Sequence, residues 1–112
     1  MESQIYLFQA LADPARLKIV ETMRKGECAV GDLVARMDIK QSGVSRHLRI
    51  LTEAGIVEMR PAGQKRIYSL RKDAFDRLDA WVMSYRRHWD ARLDRFGAAL
   101  ARNKANLRGK SK

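Results

Sequence analysis

Ser42, Ser45, Arg46 and Arg49 stand at i, i+3, i+4 and i+7, so on a helix all four side chains leave one side. That set of groups suits the reading of base-pair edges. Small hydroxyls let a helix backbone come close to a polyanion, and an arginine fork matches the O6 and N7 acceptors of guanine in the major groove. Lys40 and Gln41 open the same segment, where a helix N-terminus adds its own attraction for phosphate. His47 lies within the segment and reads as a residue that touches phosphate or packs nearby. An ordinary solvated helix face has the same composition, so the stripe alone leaves both readings open.

A second basic cluster follows. Arg60, Gln64, Lys65 and Arg66 fall on a short strand–turn–strand pattern, with Arg71 and Lys72 just beyond. From Arg36 to Lys72 there are nine Lys or Arg and three acids, Asp38, Glu53 and Glu58. A basic β-loop placed directly after a reading helix can lie along a phosphate backbone or dip into the minor groove, where arginine is favoured. The competing use of such charges is to keep a surface hairpin from pairing with other edges.

These side chains need a scaffold, and the apolar pattern supplies one. Val44, Leu48 and Leu51 face the other way from the serine–arginine stripe and anchor the helix, which ends at Gly55. Before it, Val30, Leu33, Val34 and Met37 form one stripe of a short helix, although Ala29 stands where a Ser or Thr cap is expected. Residues 5–12 make a short apolar helix. Asp13-Pro14 then supplies a capping side chain and a proline at the first helical position. The helix that follows is expected to bury Leu17, Ile19, Val20 and Met23 and to stop at Lys25-Gly26. Residues 56–60 and 65–70 read as strands, joined by a turn over Pro61-Ala62-Gly63-Gln64. Asp73 sits in the first turn of a long last helix, where a negative charge suits the helix dipole.

The expected fold is therefore mainly α with a small β-hairpin, a winged helix-turn-helix. The predicted domain covers residues 1–102, and residues 103–112 form a flexible basic tail. The last helix carries an apolar stripe of Phe75, Leu78, Val82, Tyr85, Trp89, Leu93, Phe96 and Leu100. At 1.5 Å per residue that stripe is roughly 39 Å long, more than so small a domain can cover. Part of it should meet a partner, with Ile5, Tyr6 and Phe8 of the first helix beside Trp81, Tyr85, Trp89, Leu93 and Phe96. Lining of a small-ligand pocket by Trp81, Tyr85 and Trp89 is the other use those aromatics could have. A dimer through the first and last helices is the expectation.

Composition narrows the function. The 112 residues contain 23 Lys and Arg against 13 Asp and Glu, a formal charge of +10, which points to a polyanionic partner. At 46% apolar residues the chain can fill a core, so wholesale disorder is excluded. Cys28 is the single cysteine, so no intrachain disulfide forms. The start, Met1-Glu2-Ser3-Gln4, lacks a signal-peptide pattern, and no run is apolar enough to span a bilayer, so a cytoplasmic protein without membrane attachment is expected. Neither a Ser/His/Asp or Cys/His grouping nor a phosphate-cradling glycine loop is present, so no enzyme is expected.

Leu11-Ala12-Asp13-Pro14-Ala15-Arg16-Leu17, Gln41-Ser42-Gly43-Val44-Ser45-Arg46-His47-Leu48 and Leu51-Thr52-Glu53-Ala54-Gly55-Ile56-Val57 together resemble the ArsR family of winged-helix repressors. The likeness runs over about residues 5–100. It implies a homodimer that binds a palindromic operator in double-stranded DNA and represses there. It places Ser42, Ser45, Arg46, His47 and Arg49 at or near the DNA, with the hairpin from Arg60 to Arg66 as the wing.

Many members of that family sense metals through a cysteine pair, and the matching positions here are Ala29 and Gly31. One thiolate, Cys28, is too few for a thiophilic metal. Cys28 reads as a small core residue, with a thiol sensor as the sharper alternative. On the last helix His88 does not share a face with Asp90 or Asp94, so no second metal site is expected. No cofactor is expected, and the sequence names no small-molecule effector. A winged helix that binds only protein, or one that binds RNA or packages nucleic acid without sequence preference, remains the rival reading.

Overall fold

Asp13 begins the second helix, as its sequence context requires. In the computed structural model, which describes the backbone of residues 2–110 and the side chains of residues 4–100 and 102, α1 spans Glu2–Leu11 and α2 spans Pro14–Met23. The Asp13 carboxylate accepts the Arg16 backbone N–H at 3.0 Å, and Pro14 fills the first helical position. That hydrogen bond, with the Arg16 guanidinium adding to it, holds the Asp13 carboxyl below its usual range against a smaller opposing effect of burial. A depressed carboxyl stabilises the fold above its unfolded value and loses that contribution as pH falls through its folded one. Asp13→Ala is accordingly expected to lower the thermal midpoint near neutral pH by roughly 4–8 °C. The gap between the variant and the parent should close as the solution is made strongly acidic, which calorimetry over a pH series would show.

Five further elements complete the reading module. A two-residue strand β1, Cys28–Ala29, runs into α3, Val30–Arg36. Then come α4, Gln41–Glu53, and the hairpin strands β2, Val57–Ala62, and β3, Lys65–Leu70. The sheet order is β1-β3-β2, all antiparallel, with Cys28 opposite Tyr68 and Met59 opposite Tyr68 on the other side. β1 is too short to show alternation in the sequence. The expected missing cap of α3 is supplied in reverse: Ala29 offers no side-chain acceptor, but the Asp32 carboxylate reaches back to the Ala29 N–H at 2.9 Å.

The helix α4 ends as its glycine predicts. Gly55 takes φ +79°, the Ile56 N–H reaches the Leu51 carbonyl at 3.0 Å, and the Gly55 N–H reaches that of Thr52 at 3.0 Å. The hairpin turn is narrower than the four residues expected. Ala62 pairs with Lys65, so Gly63 and Gln64 alone form it, with Gly63 at φ +65° in the first central position. Pro61 therefore lies inside β2, which tolerates it because β2 is an outer strand.

The core gathers Leu7, Ile19, Leu33, Val44, Leu48, Leu51, Ile56 and Val57, all buried. Each such side chain contributes about 1.5–3 kcal/mol relative to exposure. Leu17, expected in this core, is 45% exposed. It precedes Ile19 by two residues, about 200° around the helix, so it points away from the face that Ile19 and Met23 bury.

The last helix, α5, spans Lys72–Lys110 and opens with ion pairs of Asp73 to Arg71 and of Lys72 to Asp76. Its backbone is helical through residues 103–110, the stretch expected as a tail. That stretch offers Ala, Asn, Leu, Arg and Lys, with no residue before Gly109 to break the helix. Its side chains and residues 111–112 lie outside those described. The chain divides into two compact units, Met1–Arg77 and Leu78–Lys112. In the second, Tyr85, Trp89, Leu93 and Phe96 are each more than half exposed. The Trp81 and Tyr85 rings stand 4.8 Å apart, and the Arg92 guanidinium lies 5.2 Å over the Trp89 ring. Among the described residues, no helix is long and apolar enough to cross a membrane.

Candidate nucleic-acid interface

α4 is divided lengthwise. Val44, Leu48 and Leu51 are fully buried, while Gln41, Ser42, Ser45, Arg46 and Arg49 are exposed on the opposite side. Those five side chains form one wall of an open groove of about 1040 Å³. Gln64, Lys65 and Arg66 at the hairpin tip, with Met59 and Tyr68, form the facing wall, and the start of α3 closes one end. The two basic clusters of the sequence thus share a single concavity within the first unit.

Charge in the groove is one-sided. Among the described residues, Arg46, Arg49, Lys65 and Arg66 make no ion pair with an acid. Asp32 is the acid in the lining, and its carboxylate is engaged by the Ala29 N–H. Cations left without internal partners are free to take up phosphates and release counterions. Lys40 stands exposed just before α4, outside the groove lining. Its backbone starts the helix with no side-chain cap, leaving the first N–H groups pointing forward.

Two residues expected at this surface lie elsewhere. His47 is buried, 9% exposed, because it follows Val44 by three residues and precedes Leu51 by four, which places it on the anchoring stripe. Its Nδ1 faces the Arg16 guanidinium at 3.5 Å. Arg60 projects to the opposite side of the hairpin from Met59 and pairs with Glu27, as strand alternation requires. Sequence reasoning missed Thr52, Met59 and Tyr68 as lining residues. Thr52 continues the helical stripe three positions beyond Arg49, and Tyr68 shares a strand face with Arg66, so both signals were present.

Cys28 is buried, its thiol donates to the Gly26 carbonyl at 3.6 Å, and burial pushes the thiol above its usual value despite the pull of Arg36. A protonated, covered thiol is a core group, the reverse of the exposed thiolate that a redox sensor needs. Among the described residues, no three His, Cys, Asp or Glu side chains come together where they could hold a metal ion.

Comparison with known proteins bears on this arrangement. The chain is 43% identical over 72 residues to a biofilm growth-associated repressor of Agrobacterium fabrum, a match that covers 64% of this chain and 62% of that protein. This chain therefore spans less than two thirds of that relative. A crystal structure of a possible transcriptional regulator for arsenical resistance is 36% identical, with a TM-score of 0.64 over 70% of this chain and 81% of its own. The solution structure of a homodimeric winged helix-turn-helix DNA-binding domain from Mycobacterium bovis is 28% identical, with a TM-score of 0.63 over 75% of this chain and 78% of its own. Residues 13–59, from the Asp13 cap to Met59 in the hairpin, match the family described as bacterial regulatory protein, arsR family. With a winged helix-turn-helix fold and these relatives, the chain belongs to the arsR family.

Proposed function

We propose that this protein is a DNA-binding transcriptional regulator, acting as a repressor, that sets α4 into the major groove and lays the β2–β3 hairpin along the adjacent backbone. The observation that carries the reading is the groove itself: exposed serines and unpaired arginines on α4 face a basic hairpin, while the far side of the helix is locked in the core. A homodimer at an inverted repeat follows from the exposed aromatic stripe of α5 and is supported by the homodimeric relative. Two-fold symmetry would then put the half-sites about one DNA turn, or a small multiple of it, apart. Metal release has no part in this reading, because Ala29 and Gly31 offer no ligands and Cys28 is a single buried thiol.

Selection of duplexes from a randomised pool tests the proposal. The expected product is an inverted repeat whose affinity falls steeply with salt. No enrichment, or no binding to duplex at modest ionic strength, overturns it. Lys65 lies on the hairpin wall without an ion pair among the described residues and should contact phosphate only. Lys65→Ala is expected to weaken binding evenly across sequences and to reduce the slope of log affinity against log salt by about one.

A further inference from the structure

Arg16 is a junction of three helices. Its Nε donates to the Ala10 carbonyl at 2.6 Å and one terminal nitrogen to the Gln9 carbonyl at 3.4 Å, closing the open C-terminal end of α1. Its backbone N–H is held by the Asp13 carboxylate at the start of α2. Its other terminal nitrogen meets His47 Nδ1 on the buried side of α4, at 3.5 Å. Arginine carries donors only, so this last contact uses the lone pair of Nδ1. α1 has no basic residue in its own last turn, so the cation that caps it comes from α2.

From these contacts we infer that Arg16 is a positioning residue for recognition: through His47 it ties the end of α1 to the back of the reading helix, so that the two hold one relative placement. This rests on α4 being the DNA-reading element. His47 is the one buried polar side chain on that helix among the described residues, and it sits directly behind Arg46 in sequence. A tether at this point governs how Arg46 and Ser45 are presented, while the apolar residues Val44, Leu48 and Leu51 supply the adhesion. Packing without a polar contact tolerates small slides; a directed contact sets one register.

Three variants separate positioning from mere stability. Arg16→Met keeps a long apolar stem without the donors. His47→Leu keeps the buried volume without the acceptor. His47→Gln restores an acceptor. The probes are a duplex enriched from the randomised pool and the unselected pool itself. Arg16→Met and His47→Leu are each expected to reduce the preference for the enriched duplex by about tenfold, and the double variant by no more than either alone. His47→Leu should do so with its thermal midpoint undiminished, and His47→Gln should retain most of the preference. In the free protein, amide exchange across α4 should quicken in Arg16→Met. An unchanged preference, or losses that simply add, overturns the tether while leaving the groove assignment standing. A parent protein that shows no preference at all overturns the groove assignment, and the exchange measurement then decides the tether alone.

Discussion

Arg46→Ala is expected to weaken binding to the enriched duplex about 10- to 100-fold, the range of one lost bidentate base contact. The same change should weaken binding to the unselected pool far less, and the base preference at one position of each half-site should broaden. The reason lies in the placement of the residue. Arg46 sits mid-face on α4 between Ser42 and Arg49, with no ion pair among the described residues to hold its guanidinium back. Alanine there keeps the helix, since the side chain is exposed and alanine is the best helix former. Loss of binding with an unchanged thermal midpoint would therefore report recognition. Equal affinity and equal selectivity before and after the substitution would remove α4 from the role assigned to it.

Leu93→Glu carries the other large effect. The α5 stripe steps by three and four residues from Phe75 to Leu100. Steps of three and four keep these side chains on one side of the helix. Leu93 and Phe96 are about 60% exposed, the most exposed of the described stripe residues. In a two-fold interface the substitution enters twice and buries two unpaired carboxylates. Sedimentation should show the mass of one chain in place of two. Affinity for an inverted repeat should drop about 100-fold or more, because each half-site is then bound without the other. A variant that stays dimeric would show that this stripe is not the contact.

What could be read from the sequence was what depends on strong periodicity or on an obligatory turn residue. The Asp13-Pro14 start, the Val44–Leu48–Leu51 anchor and the Gly55 stop each follow from one dominant physical requirement, and each stands where expected. Eight of the ten groove residues from Gln41 to Arg66 were likewise legible, because helical and strand periods fix which side each one leaves. The failures come from contacts between distant segments. His47 belongs to both a polar sequence neighbourhood and an apolar face, and only the nearness of Arg16, 31 residues away, decides between them. Arg60 was grouped with its basic neighbours, but Glu27 lies within reach on the other side of the hairpin. β1 exists only because β3 is there to pair with it.

Gly43 carries a consequence of its own. A Cβ on this residue would lie 2.7 Å from Ile39 Cγ2, in the bend that leads into α4. The missing carbon works like a removed shim: it lets the bend nest against the first turn and fixes the tilt of the rod at its near end. Even a single methyl inserted there would act as a wedge, and the angular error would grow along the axis toward Arg49, about 9 Å farther on. The aim of the side chains that face outward is thus set by an atom that the chain leaves out.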